Sequence, residues 1–235
     1  MRSGYFISAL FISLTGCGSI DYDKAEVGRF DGSLFVMWVG EGGPLGDGAF
    51  VYVPAPGHEL TFTRKTAAGK EQVIRPTMMY TDGGSIPKIG QVFKGFSPWG
   101  YAPAYMVHDW LFRARQCLSD GKATKAEAMV AGISFQESAE IIAEAIKTLQ
   151  KEGRVAPDDV APRVISSAVA GPIAQHQWRK EGACPVPRVS EADRLAAEAA
   201  IPGSSQSALR SVFRVDGKGQ RRKVRAATVV GVVSF

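Results

Sequence analysis

Apolar and polar positions change their rhythm along this chain, and the change divides it. From Phe30 to about Pro87 the apolar residues come in short runs rich in β-formers, punctuated by Gly and Pro. Leu34-Phe35-Val36-Met37-Trp38-Val39 and Ala49-Phe50-Val51-Tyr52-Val53 read as strands, separated by the Gly-rich turn Glu41 to Gly48 and closed by Pro54 and Pro56. Leu60-Thr61-Phe62-Thr63-Arg64 and Gln72-Val73-Ile74-Arg75 alternate with period two around Ala67-Ala68-Gly69-Lys70, the signature of a hairpin with one wet face. Thr77-Met78-Met79-Tyr80 is a further strand candidate.

After Pro87 the period becomes helical. Ala102 to Arg115 lacks Gly, and Pro103 falls in the first turn, where proline is tolerated. Lys122 to Gln150 is a second helical stretch, with Gly132 as a point of division. In its latter half Phe135, Ala139, Ile142, Ile146 and Leu149 share one stripe, and Glu140 falls on the opposite, solvent side. Val160 to Trp178 is a third, interrupted at Gly171-Pro172. Strands first and helices afterwards predict an α+β fold, a small antiparallel sheet followed by two or three packed helices.

Beyond residue 180 the pattern loosens. Ala183 to Pro187 reads as a linker, and Ser190-Glu191-Ala192-Asp193 opens an Ala-rich helix with a capping-box pattern. The last stretch carries Arg210, Arg214, Lys218, Arg221, Arg222, Lys223 and Arg225 against Asp216. It predicts a loose hairpin of Val212-Phe213-Arg214-Val215 with Ala227-Thr228-Val229-Val230, a basic C-terminal extension of the domain.

The first residues have a different logic. Met1-Arg2 precede an apolar run over residues 5–13, then Leu14-Thr15-Gly16-Cys17. That is a positive start, an export-length apolar region and a small-residue cleavage site, too short to span a membrane permanently. The pattern resembles a bacterial lipobox, which implies removal of residues 1–16, acylation of Cys17 and a lipidated tether over 17–29. Gly18 stands where an inner-membrane retention signal would have Asp, so the outer membrane, facing the periplasm, is the expected location. The expected organisation is therefore a leader, a tether, a domain over 30–180, and a linker, short helix and basic tail over 181–235.

Composition narrows the classes. With 235 residues, 45% hydrophobic, and 28 basic against 23 acidic side chains, the chain is neither collagen-like nor wholly disordered. Three cysteines exclude a disulfide-dense scaffold. With Cys17 acylated, Cys117 and Cys184 remain for an oxidising compartment, where they pair if their Cα atoms are close enough and stay as thiols if not. The positive excess lies largely in the tail. For an exported chain its available partners are anionic lipid or cell-wall polymers, and nucleic acid is not expected.

Two polar blocks sit in apolar surroundings: Thr81-Asp82-Gly83-Gly84-Ser85-Ile86-Pro87, and Ala104-Tyr105-Met106-Val107-His108-Asp109-Trp110-Leu111-Phe112. On a helix, Tyr105, His108, Asp109 and Phe112 share a face. The two blocks in this order, about twenty residues apart, resemble the family catalogued as domain of unknown function 1353, common in phages and prophage-bearing bacteria. The resemblance covers roughly residues 30–180. The family's Ala-Asp pair on a later helix is replaced here by Ala139-Glu140. No established activity comes with the family.

Chemistry therefore rests on the residues. His108-Asp109 resembles the His-Asp helix of secreted phospholipases A2, which implies His108 as general base for water, Asp109 as ligand of a hard cation such as calcium, and Tyr105 as wall. The flanking cysteines and calcium loop of those enzymes are missing. A second arrangement takes Ser85 as nucleophile, His108 as base and Asp82 or Asp109 as orienter, without a glycine after the serine to form a nucleophile elbow. A metal held by Asp82, His108 and Asp109 is a third. The competing expectation is a noncatalytic protein in which Asp82 and Ser85 shape a turn and His108-Asp109 pin it as a buried polar lock. Trp99 and Tyr101, with Phe93 and Phe96, either line a mouth above His108 or pack on the core. His58 and His176 read as a turn histidine and a helix-end histidine.

Overall fold

The computed structural model describes residues 20–40, 48–82, 101–156, 161–204, 212–215 and 218–235. Cys17, Ser85, Phe93, Phe96 and Trp99 lie outside the described residues, as does the leader. Among the described residues the fold is α+β, with antiparallel sheets packed by helices.

A single 3-10 turn at Tyr22–Lys24 leads into β1 (Arg29–Asp31) and β2 (Ser33–Gly40), followed by β3 (Ala49–Pro54), β4 (Thr61–Lys65), β5 (Glu71–Ile74) and β6 (Met79–Thr81). β1, β4 and β5 form one sheet, with the alternating hairpin in the register Phe62↔Ile74 and Arg64↔Gln72. The other sheet has the order β6-β3-β2-β9, where β9 is Thr228–Ser234. β2 is buried on both faces, which explains its unbroken apolar run. Leu34 and Val36 enter the main core, while Phe35, Met37 and Val39 face the other way with Val51, Val53, Val189 and Ala197.

The helices fill the main core. α1 (Ala102–Ser119) is buried at most positions from Ala102 to Cys117, and Trp110 Nε1 donates to Thr77 Oγ1 at 3.1 Å, tying it to the segment before β6. α2 (Lys125–Ala128) and α3 (Phe135–Lys151) are separate because Thr124 and Ser134 each start a helix with a reciprocal capping box, closed by Glu127 and Glu137. Gly132 lies between them. α4 (Ala161–Val169) and α5 (Pro172–Trp178) divide at Gly171-Pro172, where proline opens the new helix.

The segment after residue 180 is bound to this body. Cys117 and Cys184 form a disulfide with Cα atoms 4.6 Å apart, closing a loop of 67 residues. Loop-closure entropy puts such a link at about 4 kcal/mol. Asp120 accepts from the amides of Gly182 (2.7 Å) and Cys184 (2.9 Å), and Arg188 grips buried Glu127 with Nε and Nη2, each at 2.7 Å. α6 (Glu191–Ala200) then lays Ala197 against the second face of β2. Ser190 Oγ accepts from the Asp193 amide at 3.2 Å, but the carboxylate of Asp193 does not complete a capping box. It accepts from Tyr80 Oη at 2.6 Å and pairs with Arg214.

The expected C-terminal hairpin has different partners. β7 (Phe213–Val215) pairs with β8 (Arg221–Lys223), not with residues 227–230. Residues from Thr228 run antiparallel to β2, with Leu34↔Val233 and Phe35↔Val232. The apolar strand finds a buried partner across the molecule, and the basic strand keeps the solvated one. The sheet thus crosses the boundary expected at residue 180.

Candidate active site

α1 carries the polar block because its sequence has no helix breaker across it and one end is fixed by Tyr101, buried and edge-on to Tyr105 at 6.1 Å between ring centroids. His108 is 7% exposed. Its ring packs on Phe112, with centroids 4.7 Å apart, and Phe112 in turn meets Trp178 of α5 edge-on at 5.0 Å. Nδ1 faces Asp109 Oδ1 at 3.4 Å. That separation is longer than a strong hydrogen bond. Nε2 is buried, and no polar atom among the described residues bonds to it. A buried polar atom left without a partner costs about 1–3 kcal/mol, so this nitrogen calls for an explanation.

The strands contribute a residue that sequence reasoning missed. Tyr52 of β3 is fully buried. Its phenol is pushed up chiefly by burial and next by the charge of Asp109. Asp109 and Tyr105 of one polar block and Thr81 and Asp82 of the other lie within electrostatic reach of this phenol, where β3 and β6 pair as Phe50↔Thr81 and Tyr52↔Met79. Tyr52 had a signal in the sequence only as an inward position of a strand. Asp82 itself is exposed, at the end of β6. Ser85 and Trp99 belong to the undescribed stretch, so the arrangement with Ser85 as nucleophile has no geometry here.

The described residues hold no cluster of three or more His, Cys, Asp or Glu side chains.

A second polar feature lies elsewhere. A groove of about 490 Å³ is lined by Glu26, Arg64, Lys65, Glu140 and Glu144 among others. At its base Arg64 Nε and Nη2 donate to Glu144 Oε2 and Oε1 at 2.7 and 2.9 Å, and Arg64 Nη1 donates to Gln72 Oε1 at 3.1 Å. Glu140 borders this groove and accepts from Gln136, which places it with Arg64 rather than with His108. His58 is exposed near Ser33 Oγ (3.1 Å) and Asp31.

Comparison of the chain with family models, curated proteins and solved structures returns no match to any of them.

Proposed function

We propose that the protein is a lipid-anchored protein of the bacterial cell envelope, held at the outer membrane through Cys17, in which His108 is the general base of a hydrolytic site. The anchoring half rests on the apolar leader ending at Cys17, and the Cys117–Cys184 disulfide supports an oxidising compartment. The two polar blocks are the sole basis for the expected resemblance to the phage-associated family of unknown function; no family model matches the chain, and the family brings no reaction.

The observation that carries the hydrolytic half is the Nε2 of His108, buried and without a hydrogen-bond partner among the described residues, on a ring whose other nitrogen faces a carboxylate. In that arrangement Nε2 removes a proton from water as the water oxygen attacks an acyl carbon. The proton then passes to the departing oxygen, and Asp109 orients the ring and stabilises the imidazolium between the two steps. Tyr105 and Tyr52 wall the site.

A noncatalytic reading draws on a different observation. His108 is buried against Phe112, and the groove at Arg64 does not include it, as a polar lock between α1 and the sheet would have it. Carbethoxylation of the folded protein with diethyl pyrocarbonate separates the two. The hydrolytic reading needs reagent and water to reach Nε2, so mass mapping finds His108 modified alongside exposed His58. Protection of His108 until the protein is unfolded supports the lock and contradicts the enzyme.

A further inference from the structure

The hairpin β7–β8 presents an outward face with a definite chemistry. Its register pairs Phe213 with Lys223, Arg214 with Arg222 and Val215 with Arg221. Directly paired residues of an antiparallel ladder project to the same side, so Phe213, Val215, Arg221 and Lys223 share one face and Arg214 belongs to the other.

The body of the protein fixes which face is outside. Arg214 is drawn inward by its ion pair with Asp193 of α6, beside Gly40 at the end of β2. Immediately after the hairpin Val224 is buried against Ala196 and Ala199, and its amide donates to the Val212 carbonyl at 2.9 Å. With that side pinned, Phe213 is left 49% exposed and Val215 63% exposed. The Arg221 guanidinium lies over the Phe213 ring, 5.1 Å from its centroid.

We infer that this face, Phe213 and Val215 with Arg221 and Lys223, docks on an anionic phospholipid bilayer. The inference builds on the anchored reading, in which Cys17 keeps the chain at a membrane. The six paired residues of the two strands include no acid, and the cations flank the apolar pair. A bilayer surface complements both at once. Its acyl boundary receives the aromatic and aliphatic side chains, and its phosphates meet the guanidinium and ammonium groups. Each Lys or Arg near an anionic surface strengthens binding by about fivefold. An amphipathic face so disposed is larger in effect than scattered exposed residues, because apolar and electrostatic contributions act on the same contact.

The test uses the full chain with Cys17→Ser, which carries no acyl anchor, so that it is read apart from anchoring. Acylation of Cys17 in the wild type is measured separately by intact mass. Sedimentation with vesicles of phosphatidylcholine alone, and of phosphatidylcholine mixed with phosphatidylglycerol, gives a preference for the mixed vesicles of roughly 25-fold at low salt. Arg221→Gln/Lys223→Gln abolishes that preference, and Phe213→Ser/Val215→Ser weakens binding to the mixed vesicles, each with an unchanged melting temperature. Equal partition of the parent onto both vesicle types overturns the inference. So does a preference that survives the charge substitutions, or retention on isolated cell-wall polymer with no vesicle preference.

Discussion

Arg64 and Glu144 form a two-bonded ion pair with both side chains buried, joining β4 to α3 at the base of a polar groove. Burial raises the proton affinity of Glu144, and the guanidinium opposes that effect. The geometry satisfies Arg64 on three of its donors. Glu144→Ala leaves a buried guanidinium without its counter-ion and lowers the unfolding free energy by about 3–5 kcal/mol in urea titration. The double variant Arg64→Met/Glu144→Leu, which removes both charges and keeps apolar bulk, loses less than Glu144→Ala does.

Asp120 connects α1 to the segment after residue 180 by accepting two amide protons. The amides of Cys184 and Gly182 hold its carboxyl below the usual aspartate value. A depressed folded pKa adds stability that is fully present above the unfolded value of about 3.9 and is lost as pH falls through the folded one. In an NMR titration the Asp120 carboxyl carbon moves with a midpoint under about 3.9, and the amide protons of Gly182 and Cys184 shift with the same midpoint. Asp120→Asn removes that midpoint from both amides.

β9 supplies one edge of the four-stranded sheet. A chain ending at Ala226 exposes the flank of β2, including Leu34 and Phe35, which β9 covers. Truncation there abolishes cooperative thermal unfolding followed by circular dichroism. A tail merely appended to a finished domain would leave the transition unchanged.

Local signals carried much of this fold. Period two placed β4 and β5, the proline rule placed the start of α5, and the division at Gly132 follows from two capping boxes whose residues stand in plain order in the sequence. Non-local choices were not legible. The pairing of residues 228–234 with 33–40, in place of the expected hairpin with Val212–Val215, depends on the apolar run of β2 needing cover on both faces. By its local pattern Glu144 is one polar position on a helix. Its role depends on Arg64, eighty residues earlier. At the candidate site His108 and Asp109 are chain neighbours on α1, set with Nδ1 3.4 Å from Oδ1, whereas Tyr52 enters only through sheet packing.

The hydrolytic proposal requires His108 to act on water. The direct measurement is release of p-nitrophenol from p-nitrophenyl acyl esters by the full chain, wild type beside His108→Gln, with melting temperatures recorded for both. A general base contributes about 10²–10⁴-fold, so the account predicts turnover in the wild type and a loss of at least about 100-fold in His108→Gln at a similar melting temperature. Equal rates in the two proteins contradict it. So does an inactive wild type in which His108→Gln lowers only the melting temperature.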